Sequence, residues 1–207
     1  MTRPRKDIVS KEITPYYHLI SRTVRGAYLT GTDLSSQRNY SHRREWIVDR
    51  LKQLANIFAL NIHAFTVNPH EYHLIIEIDS DRVDIWSDEL VIEKWTQVYK
   101  GPELIQKYKS GRELDDKERS ELARLAGIWR VRLAELGWFM KCLNQHIAHL
   151  ANREDNCRGH FWLSRYKSRP LKSELDIEKC NEKWGLASFV GNDREPEAQV
   201  SGVEMAQ

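Results

Sequence analysis

The hydrophobic pattern of the first third of the chain predicts a strand, a helix and a hairpin. Residues 16–24 (YYHLISRTV) are rich in aromatic and β-branched side chains, which is typical of a strand. From Ser41, a suitable N-cap, to about Ala59, apolar residues recur at the spacing of an amphipathic helix. Residues 60–67 and 72–79 predict two further strands, and the Asn-Pro sequence between them predicts a tight turn.

The next part of the chain has a mainly helical pattern and ends in a strand-like segment. Residues 84–99 predict a helix, whereas residues 101–120 are polar and predict a surface insertion. Two more helices are predicted at about 115–136 and 138–151. Residues 159–168 (GHFWLSRYKS) alternate aromatic and basic side chains, so we expect the last strand there.

The order of these elements predicts an α+β fold of the ferredoxin-like type (β-α-β-β-α-β). We expect an antiparallel sheet with helices on one face and extra helices inserted before the last strand. The pattern decays beyond Pro170, and we divide the chain into a basic leader (1–13), one domain (14–172) and an acidic, partly disordered tail (173–207). Because such a fold serves many functions, function has to be argued from particular residues.

Composition narrows the class of protein. Hydrophobic residues make up 41% of the chain, enough for a core. No run of about 18 uncharged apolar residues is present, so we expect no membrane partner. The basic start is not followed by an apolar run, which argues against a secretory signal and for a cytoplasmic, nucleoid-associated location. The three cysteines (Cys142, Cys157 and Cys180) lack CxxC spacing and are interpreted as free thiols.

The net charge of +2 conceals an uneven distribution. Residues 1–173 contain 29 Lys and Arg against 22 Asp and Glu, whereas residues 174–207 contain 3 against 8. Only the first part has the sign expected of a phosphate-binding surface, although such an excess is common in ordinary proteins. One hypothesis is that the acidic tail folds back over the basic part and competes with DNA.

The first candidate site is the sequence His70-Glu71-Tyr72-His73 at the start of a predicted strand. Side chains at positions i and i+2 of a strand point to the same face, so Glu71 and His73 would lie side by side. A carboxylate and an imidazole in this arrangement could hold Mg²⁺ or Mn²⁺. Spacing alone favours the ordinary alternative, a turn histidine beside a salt-bridged strand end.

The second candidate site is a set of basic and aromatic side chains that could bind nucleic acid. Arginine and lysine hold phosphates, and aromatic rings stack on unpaired bases. The alternative is a strand whose aromatic residues face the core while its cations face solvent, and the pattern does not decide between the two. The candidate residues are Arg22, Arg25, Arg43, Arg44, Arg158, Trp162, Arg165, Lys167 and Arg169.

Several blocks of the chain together resemble one known family. Over about residues 14–172, the chain is similar to the larger bacterial REP-associated tyrosine transposases, relatives of the insertion-sequence-200 transposases among the HUH endonucleases. The blocks are YYHLISRTVRGAYLTG, HRREWIVDRLKQLANIFAL, HAFTVNPHEYHLIIEID, WFMKCLNQHIAHLANRED and GHFWLSRYKS. The resemblance implies a ferredoxin-like fold and binding of palindromic repeat hairpins and single-stranded DNA, with a homodimer as one assembly. It also implies DNA transposition by metal-assisted attack of a tyrosine on a phosphodiester.

The chain departs from the pattern of this family at the positions that carry the chemistry. Glu71 replaces one of two metal-binding histidines, so Mg²⁺ or Mn²⁺ would depend on Glu71 and His73, with His70 as a further candidate. Leu163 and Arg169 stand where the family usually has Glu and Gln.

The nucleophile helix is the most serious departure. No tyrosine follows Tyr166, which lies on the predicted last strand and is a poor substitute, and the late segment FVGNDRE resembles one that normally lies further downstream. An internal deletion would explain both observations. Three alternatives stay open: an active transposase with another nucleophile, a DNA-binding remnant that occupies repeat hairpins, and a decaying gene product.

Overall fold

The computed structural model describes residues 14–191, which form one open antiparallel sheet and seven helices. The elements in chain order are β1 (Tyr16–Arg22), α1 (Arg43–Ile57), β2 (Leu60–Val67), β3 (Glu71–Ile78), α2 (Ser80–Asp84), α3 (Asp88–Thr96), α4 (Glu103–Lys109), α5 (Asp116–Leu133), α6 (Leu136–Glu154), β4 (Lys167–Pro170), α7 (Glu174–Trp184) and β5 (Ala187–Ser188). The strands lie in the order β4-β1-β3-β2-β5. The predicted α+β class is therefore confirmed.

The two central strands, β1 and β3, fix the positions of the candidate site residues. They pair antiparallel with Tyr16 opposite Glu77 at one end and Arg22 opposite Glu71 at the other. Strand β2 joins β3 through a tight turn closed by a 2.8 Å hydrogen bond from the Asn68 amide to the Glu71 carbonyl. The hairpin predicted from the Asn-Pro sequence is thus confirmed.

One face of the sheet packs against α1 and α6 and carries the main core. Alternate residues of β1 and β3, such as Leu19, Tyr72 and Leu74, are fully buried there. They meet the apolar stripes of the two helices, including Leu51 and Leu143, as the period of two in a strand and 3.6 in a helix requires. Helices α3, α4 and α5 extend this layer through further buried aromatic and aliphatic side chains.

The opposite face of the sheet is covered by α7, so the expectation that all helices lie on one face is wrong for this helix. Ser173 caps α7, and Gly185 ends it in the left-handed conformation with φ of 57°. Cys180 packs with Ala64 and Ile75 of the sheet. Only a few apolar residues of α7 make this contact, which explains why its hydrophobic pattern is weak in the sequence.

The last predicted strand is displaced in the structure. Residues 159–166 are irregular apart from one bridge between Trp162 and Thr23, and regular pairing begins only at Lys167. Gly159 has φ of 131°, which turns the chain out of a strand at the predicted start. Phe161 and Tyr166 are both buried, so this segment serves mainly to close the core.

Other boundaries differ by smaller amounts. Helix α1 begins one residue later than Ser41 predicts, with His42 at the N-cap, and α6 continues to Glu154. The helix predicted at 84–99, with Ser87 as its N-cap, corresponds to α3, which Ser87 does cap, whereas α2 precedes it and overlaps the prediction only at Asp84. The segment 101–120 includes the helix α4.

The structure bears on only part of the proposed division into domains. The leader at 1–13 and the end of the tail at 192–207 lie outside the described residues. The described beginning of the tail contains α7 and β5. None of the helices found between residues 14 and 191 is long and apolar enough to cross a bilayer.

Candidate functional site

Four polar side chains form a row on the face of the sheet that α7 covers. Register places Arg22 opposite Glu71, and Ile20 opposite His73. Because side chains alternate along each strand, Arg22 and His18 of β1 share this face with Glu71 and His73 of β3. The structure therefore brings together the Glu71–His73 pair, as the sequence predicts, and adds two residues from the neighbouring strand.

The row is connected by short polar contacts. Arg22 donates to Oε2 of Glu71 from Nη2 at 2.6 Å and from Nε at 2.9 Å. Nε2 of His73 lies 3.3 Å from Oε1 of Glu71, an ion-pair distance without the alignment of a hydrogen bond. At the other end, Nδ1 of His73 and Nε2 of His18 are 2.9 Å apart and share a hydrogen bond.

Burial makes both histidines of this row poor bases. The pKa of His18 is lowered to about 4, first by burial and then by the charges of His73, Arg169 and Lys183. Burial also lowers the pKa of His73, and the adjacent Glu71 opposes this only in part. Both imidazoles are therefore neutral at neutral pH.

The carboxylate of Glu71 is held in its charged form. Burial alone raises its pKa, but the hydrogen bonds and charge of Arg22, together with the adjacent His73, lower it overall. The Arg22 side chain is 58% exposed, whereas that of Glu71 is 16% exposed. The ion pair therefore consists of a carboxylate that is largely shielded from solvent and a guanidinium that is exposed to it.

Trp184, the last residue of α7, covers the histidine pair on the face of the sheet against which α7 packs. Its ring is nearly parallel to that of His73, with centroids 4.2 Å apart, and tilted against His18 at 6.2 Å. The ammonium of Lys183 lies over the same indole, 5.3 Å from its centroid. The His73 side chain is consequently 0% exposed.

The residues present do not fit a resident Mg²⁺ or Mn²⁺ ion. Oε1 of Glu71 and Nε2 of His73 are close enough to share an ion, but the other carboxylate oxygen is bound to the cation of Arg22. His70 is directed elsewhere, because its Nδ1 lies 3.0 Å from the carbonyl of Ala27. Within residues 14–191 no three His, Cys, Asp or Glu side chains converge on one point.

Tyr166 is placed where it cannot act on this site. It is only 7% exposed and belongs to the core between the sheet and the helices. Tyr72, whose pKa it raises, points to the same side, opposite to Glu71 and His73. The sheet itself therefore separates the Tyr166 hydroxyl from the polar row, which excludes Tyr166 as a substitute nucleophile there.

Most of the predicted DNA-binding cations are exposed, and two of them flank the row. Lys167 pairs with Ile20 and Arg169 with His18 on edge strand β4, so both project on the same face as His73. The exposed members of the predicted set are Arg22, Arg25, Arg44, Arg158, Arg165, Lys167 and Arg169. Arg44 lies apart on α1, over the ring of Phe65 at 5.4 Å.

Arg43 is buried, which contradicts its predicted place on a DNA-binding surface. The Arg43 side chain is 0% exposed; Nε donates to Glu154 at 2.7 Å, and Nη2 is paired with Asp155. With both carboxylates bound, its guanidinium is not available to phosphate.

Trp162 is half-buried, and its indole N–H donates to the Asn144 carbonyl at 2.8 Å. The edge-on contact of its ring with Tyr72, at 5.6 Å, is part of the core. A base could stack only on the portion of the ring that this packing leaves open.

A shallow groove lies beside the Arg22 end of the row. Tyr28 lines it, tilted against His70 at 4.6 Å and parallel to Tyr40 at 5.4 Å. The side chains that define it are Arg22, Tyr28, Leu34, Pro69, His70 and Glu71. Sequence reasoning missed Tyr28 here, and also His18, Lys183 and Trp184; for His18, strand register was the only available signal.

A scan of the chain against models of protein families finds no match, and a search of curated proteins finds no significantly similar relative. The function therefore has to be argued from the site.

Proposed function

We propose that the chain descends from the REP-associated tyrosine transposases and binds hairpin or single-stranded DNA without cutting it. The observation that carries this proposal is the placement of Lys167 and Arg169 on the edge strand β4, where both side chains project on the face of the sheet that bears His73. With the exposed Arg165, two residues before β4, they form a strip of positive charge along this edge of the sheet.

The charges of this strip are free to meet phosphates. Arg165, Lys167 and Arg169 form no ion pair with a carboxylate within residues 14–191, and all three are exposed. Each Lys or Arg that neutralises a phosphate releases condensed counterions, which supplies most of the sequence-independent affinity. The pKa of His18 is lowered in part by Arg169, which places that positive charge close to the row.

The groove next to the strip suits an unpaired part of the DNA. The groove is lined by the half-buried Tyr28 and the exposed His70, and Leu34 is 81% exposed at its rim. Aromatic side chains stack on bases that are not engaged in a duplex, with little dependence on sequence. The combination favours hairpin loops or single strands over a continuous duplex.

The arrangement of the chain is consistent with the proposed ancestry. A helix connects β1 to β2, β2 and β3 form a hairpin, and further helices precede β4, which returns to pair with β1. This order supports a ferredoxin-like arrangement, to which α7 and β5 are additions.

Three features argue that cutting has been lost. The cation of Arg22 occupies the carboxylate of Glu71, Trp184 covers His73, and the hydroxyl of Tyr166 lies behind the sheet. A phosphotyrosine mechanism needs an accessible hydroxyl at the site of the metal. The geometry leaves the hydroxyl of Tyr166 buried, and it supplies no complete set of metal ligands among the described residues.

The direct test is binding of a labelled hairpin with a single-stranded extension, measured by fluorescence anisotropy over a range of salt concentrations. We expect the wild type to bind, with log Kd rising linearly with log salt, and K167E/R169E to weaken binding at least about tenfold. The control K117E/R119E changes the same charge at two exposed positions of α5 and should bind like the wild type. Equal affinity of both variants would refute the basic strip.

The second candidate function is residual strand cleavage, favoured by one observation. Nε2 of His73 is buried without a hydrogen-bond partner among the described residues and lies 3.3 Å from Oε1 of Glu71. Incubation with Mn²⁺ and hairpin DNA, followed by a denaturing gel, separates the two functions. A covalent protein–DNA band would establish cleavage, and its absence together with binding is the result we expect.

A further inference from the structure

A second basic surface lies on the helical layer, remote from the strip on β4. Arg132, at the end of α5, and Lys141, in α6, lie against one indole, that of Trp138. The guanidinium carbon of Arg132 and the ammonium nitrogen of Lys141 are each 4.5 Å from the ring centroid. No more than about 9 Å therefore separates these two charges. Both are cation–π contacts, which hold the side chains in place.

The indole between these cations is fixed by other aromatic rings. Tyr99 meets Trp138 edge-on with centroids 5.7 Å apart, and Trp95 meets it at 5.3 Å. Trp95 in turn stacks on Trp129 at 5.7 Å with an interplanar angle of 13°. Trp138 is half-buried, so part of its ring faces solvent on a rigid base.

Arg50 of α1 adds a third positive charge to this surface. Burial raises the pKa of Cys142, and the neighbouring Arg50 and Lys141 act in the opposite direction, which places both charges beside this thiol. Cys142 itself contacts the Tyr99 hydroxyl at 3.5 Å. The Nε of Arg50 is buried and has no hydrogen-bond partner among the described residues, although its Nη1 donates to Gln53 at 3.0 Å. We call Arg50, Tyr99, Arg132, Trp138 and Lys141 the Trp138 cluster.

The Trp138 cluster lacks a negative charge of its own. Within residues 14–191, none of Arg50, Arg132 and Lys141 forms an ion pair with a carboxylate. Elsewhere on the helices, cations do have carboxylate partners, such as Lys107 with Glu118 and Arg130 with Asp88. Like charges held close together without a counter-ion repel one another, and an anionic ligand would relieve this repulsion.

We infer that the Trp138 cluster is a second nucleic-acid contact, which binds backbone phosphates through Arg132 and Lys141. The inference rests on the proposed function, and it extends that function to a surface that the sequence analysis did not single out. Phosphates in nucleic acid are spaced closely enough to meet two cations less than about 9 Å apart. The exposed part of the indole adds a face on which a base or sugar packs.

The position of the cluster determines which DNA can reach it. Arg132 and Lys141 lie on the layer formed by α5 and α6, whereas Lys167 and Arg169 project from the other face of the sheet. A short hairpin that occupies the strip on β4 cannot contact both surfaces. DNA with a long stem or a long single-stranded extension can follow the protein from one to the other, and each added phosphate contact steepens the salt dependence.

The test compares R132Q/K141Q and R132E/K141E with K117E/R119E, which makes the same charge change as R132E/K141E but at the other end of α5. Binding to a short hairpin and to the same hairpin with a long extension is measured by anisotropy over a range of salt concentrations. We expect the extended DNA to bind R132Q/K141Q about tenfold more weakly than the wild type, with a salt slope smaller by roughly 1.5 to 2. R132E/K141E should lose more of its affinity for the extended DNA, whereas the wild type and these three variants should bind the short hairpin with equal affinity. Circular dichroism establishes that the variants are folded.

The possible outcomes separate this inference from the proposed function. One outcome is that K167E/R169E no longer binds the short hairpin while R132Q/K141Q binds the extended DNA as well as the wild type does. This outcome would overturn the inference about the Trp138 cluster and leave the proposal of the strip intact. Failure of the wild type to bind either DNA would overturn both. If vesicles with anionic lipid bind the wild type but not R132Q/K141Q, while DNA affinity stays unchanged, the cluster is a membrane contact and the inference is wrong.

Discussion

The buried histidine pair makes stability depend on pH in a way that can be worked from the structure. The His18 side chain is 3% exposed and hydrogen-bonds to His73, so protonation of His18 places a charge where water cannot solvate it. Its pKa is lowered to about 4 from a reference of 6.5. A group whose pKa is lower in the folded state contributes stability above the unfolded pKa, and this stability is lost as pH falls through the interval between the two values.

The expected size follows from this difference. For a single site with these two pKa values, the free energy of unfolding falls by about 2 kcal/mol between about pH 7 and about pH 5, and by roughly 3 kcal/mol once the pH is below both values. His73 adds to the loss in the same direction, because its pKa is also lowered. For a domain of this size the first of these changes lowers Tm by several degrees.

Urea unfolding followed by tryptophan fluorescence at a series of pH values measures this dependence. His18→Gln removes the titrating group but keeps an amide that can hydrogen-bond to His73. We expect His18→Gln to be less stable than the wild type at pH 7 and to lose about 2 kcal/mol less on acidification to pH 5. Equal pH dependence of the wild type and His18→Gln would refute the assignment of a buried neutral imidazole at this position.

Two further predictions concern the interior and the C-terminal segment. Arg43→Met leaves Glu154 and Asp155 without their shared cation, so we expect the free energy of unfolding, measured in urea, to fall by about 3 to 5 kcal/mol. Arg43→Lys should not restore this stability, since one ammonium cannot replace the forked contacts of a guanidinium. Removal of residues 174–207 deletes eight acidic residues and uncovers the face of the sheet that bears His73. We therefore expect the DNA affinity at low salt to rise. Unchanged affinity in a truncated protein that still folds would mean that the acidic segment does not compete with DNA.

The parts of the fold that were predictable have strong local signals. The hairpin of β2 and β3 combines alternating apolar residues with an Asn-Pro turn, and each signal is carried by neighbours in sequence. The contact of His18 with His73 depends on register across 55 positions, for which one strand alone gives no signal. The same limit applies to Trp184, because α7 reaches the sheet through few apolar residues.

Charge was a poor guide to exposure at one position and a good guide at others. Arg43 looks like the adjacent Arg44 in the sequence, yet only Arg43 points inward to the two acids at the end of α6. Those acids lie more than 110 positions away, so only the packing of α1 on α6 reveals the difference. Lys167 and Arg169, by contrast, are exposed and share one face, as residues at i and i+2 of a strand do.

Under the proposed function, the same row of side chains explains how binding and cutting can be separated. Arg22 and Glu71 neutralise each other, and the histidines behind them are neutral, so the row contributes almost no net charge to the face of the sheet. The charge that remains for phosphate belongs to Lys167 and Arg169 on β4, which touch none of the atoms that a cutting mechanism needs. Loss of a metal ligand or of a nucleophile therefore leaves the electrostatics of the strip unchanged. Selection for occupying a hairpin could then maintain the strip after selection for cleaving it had ended.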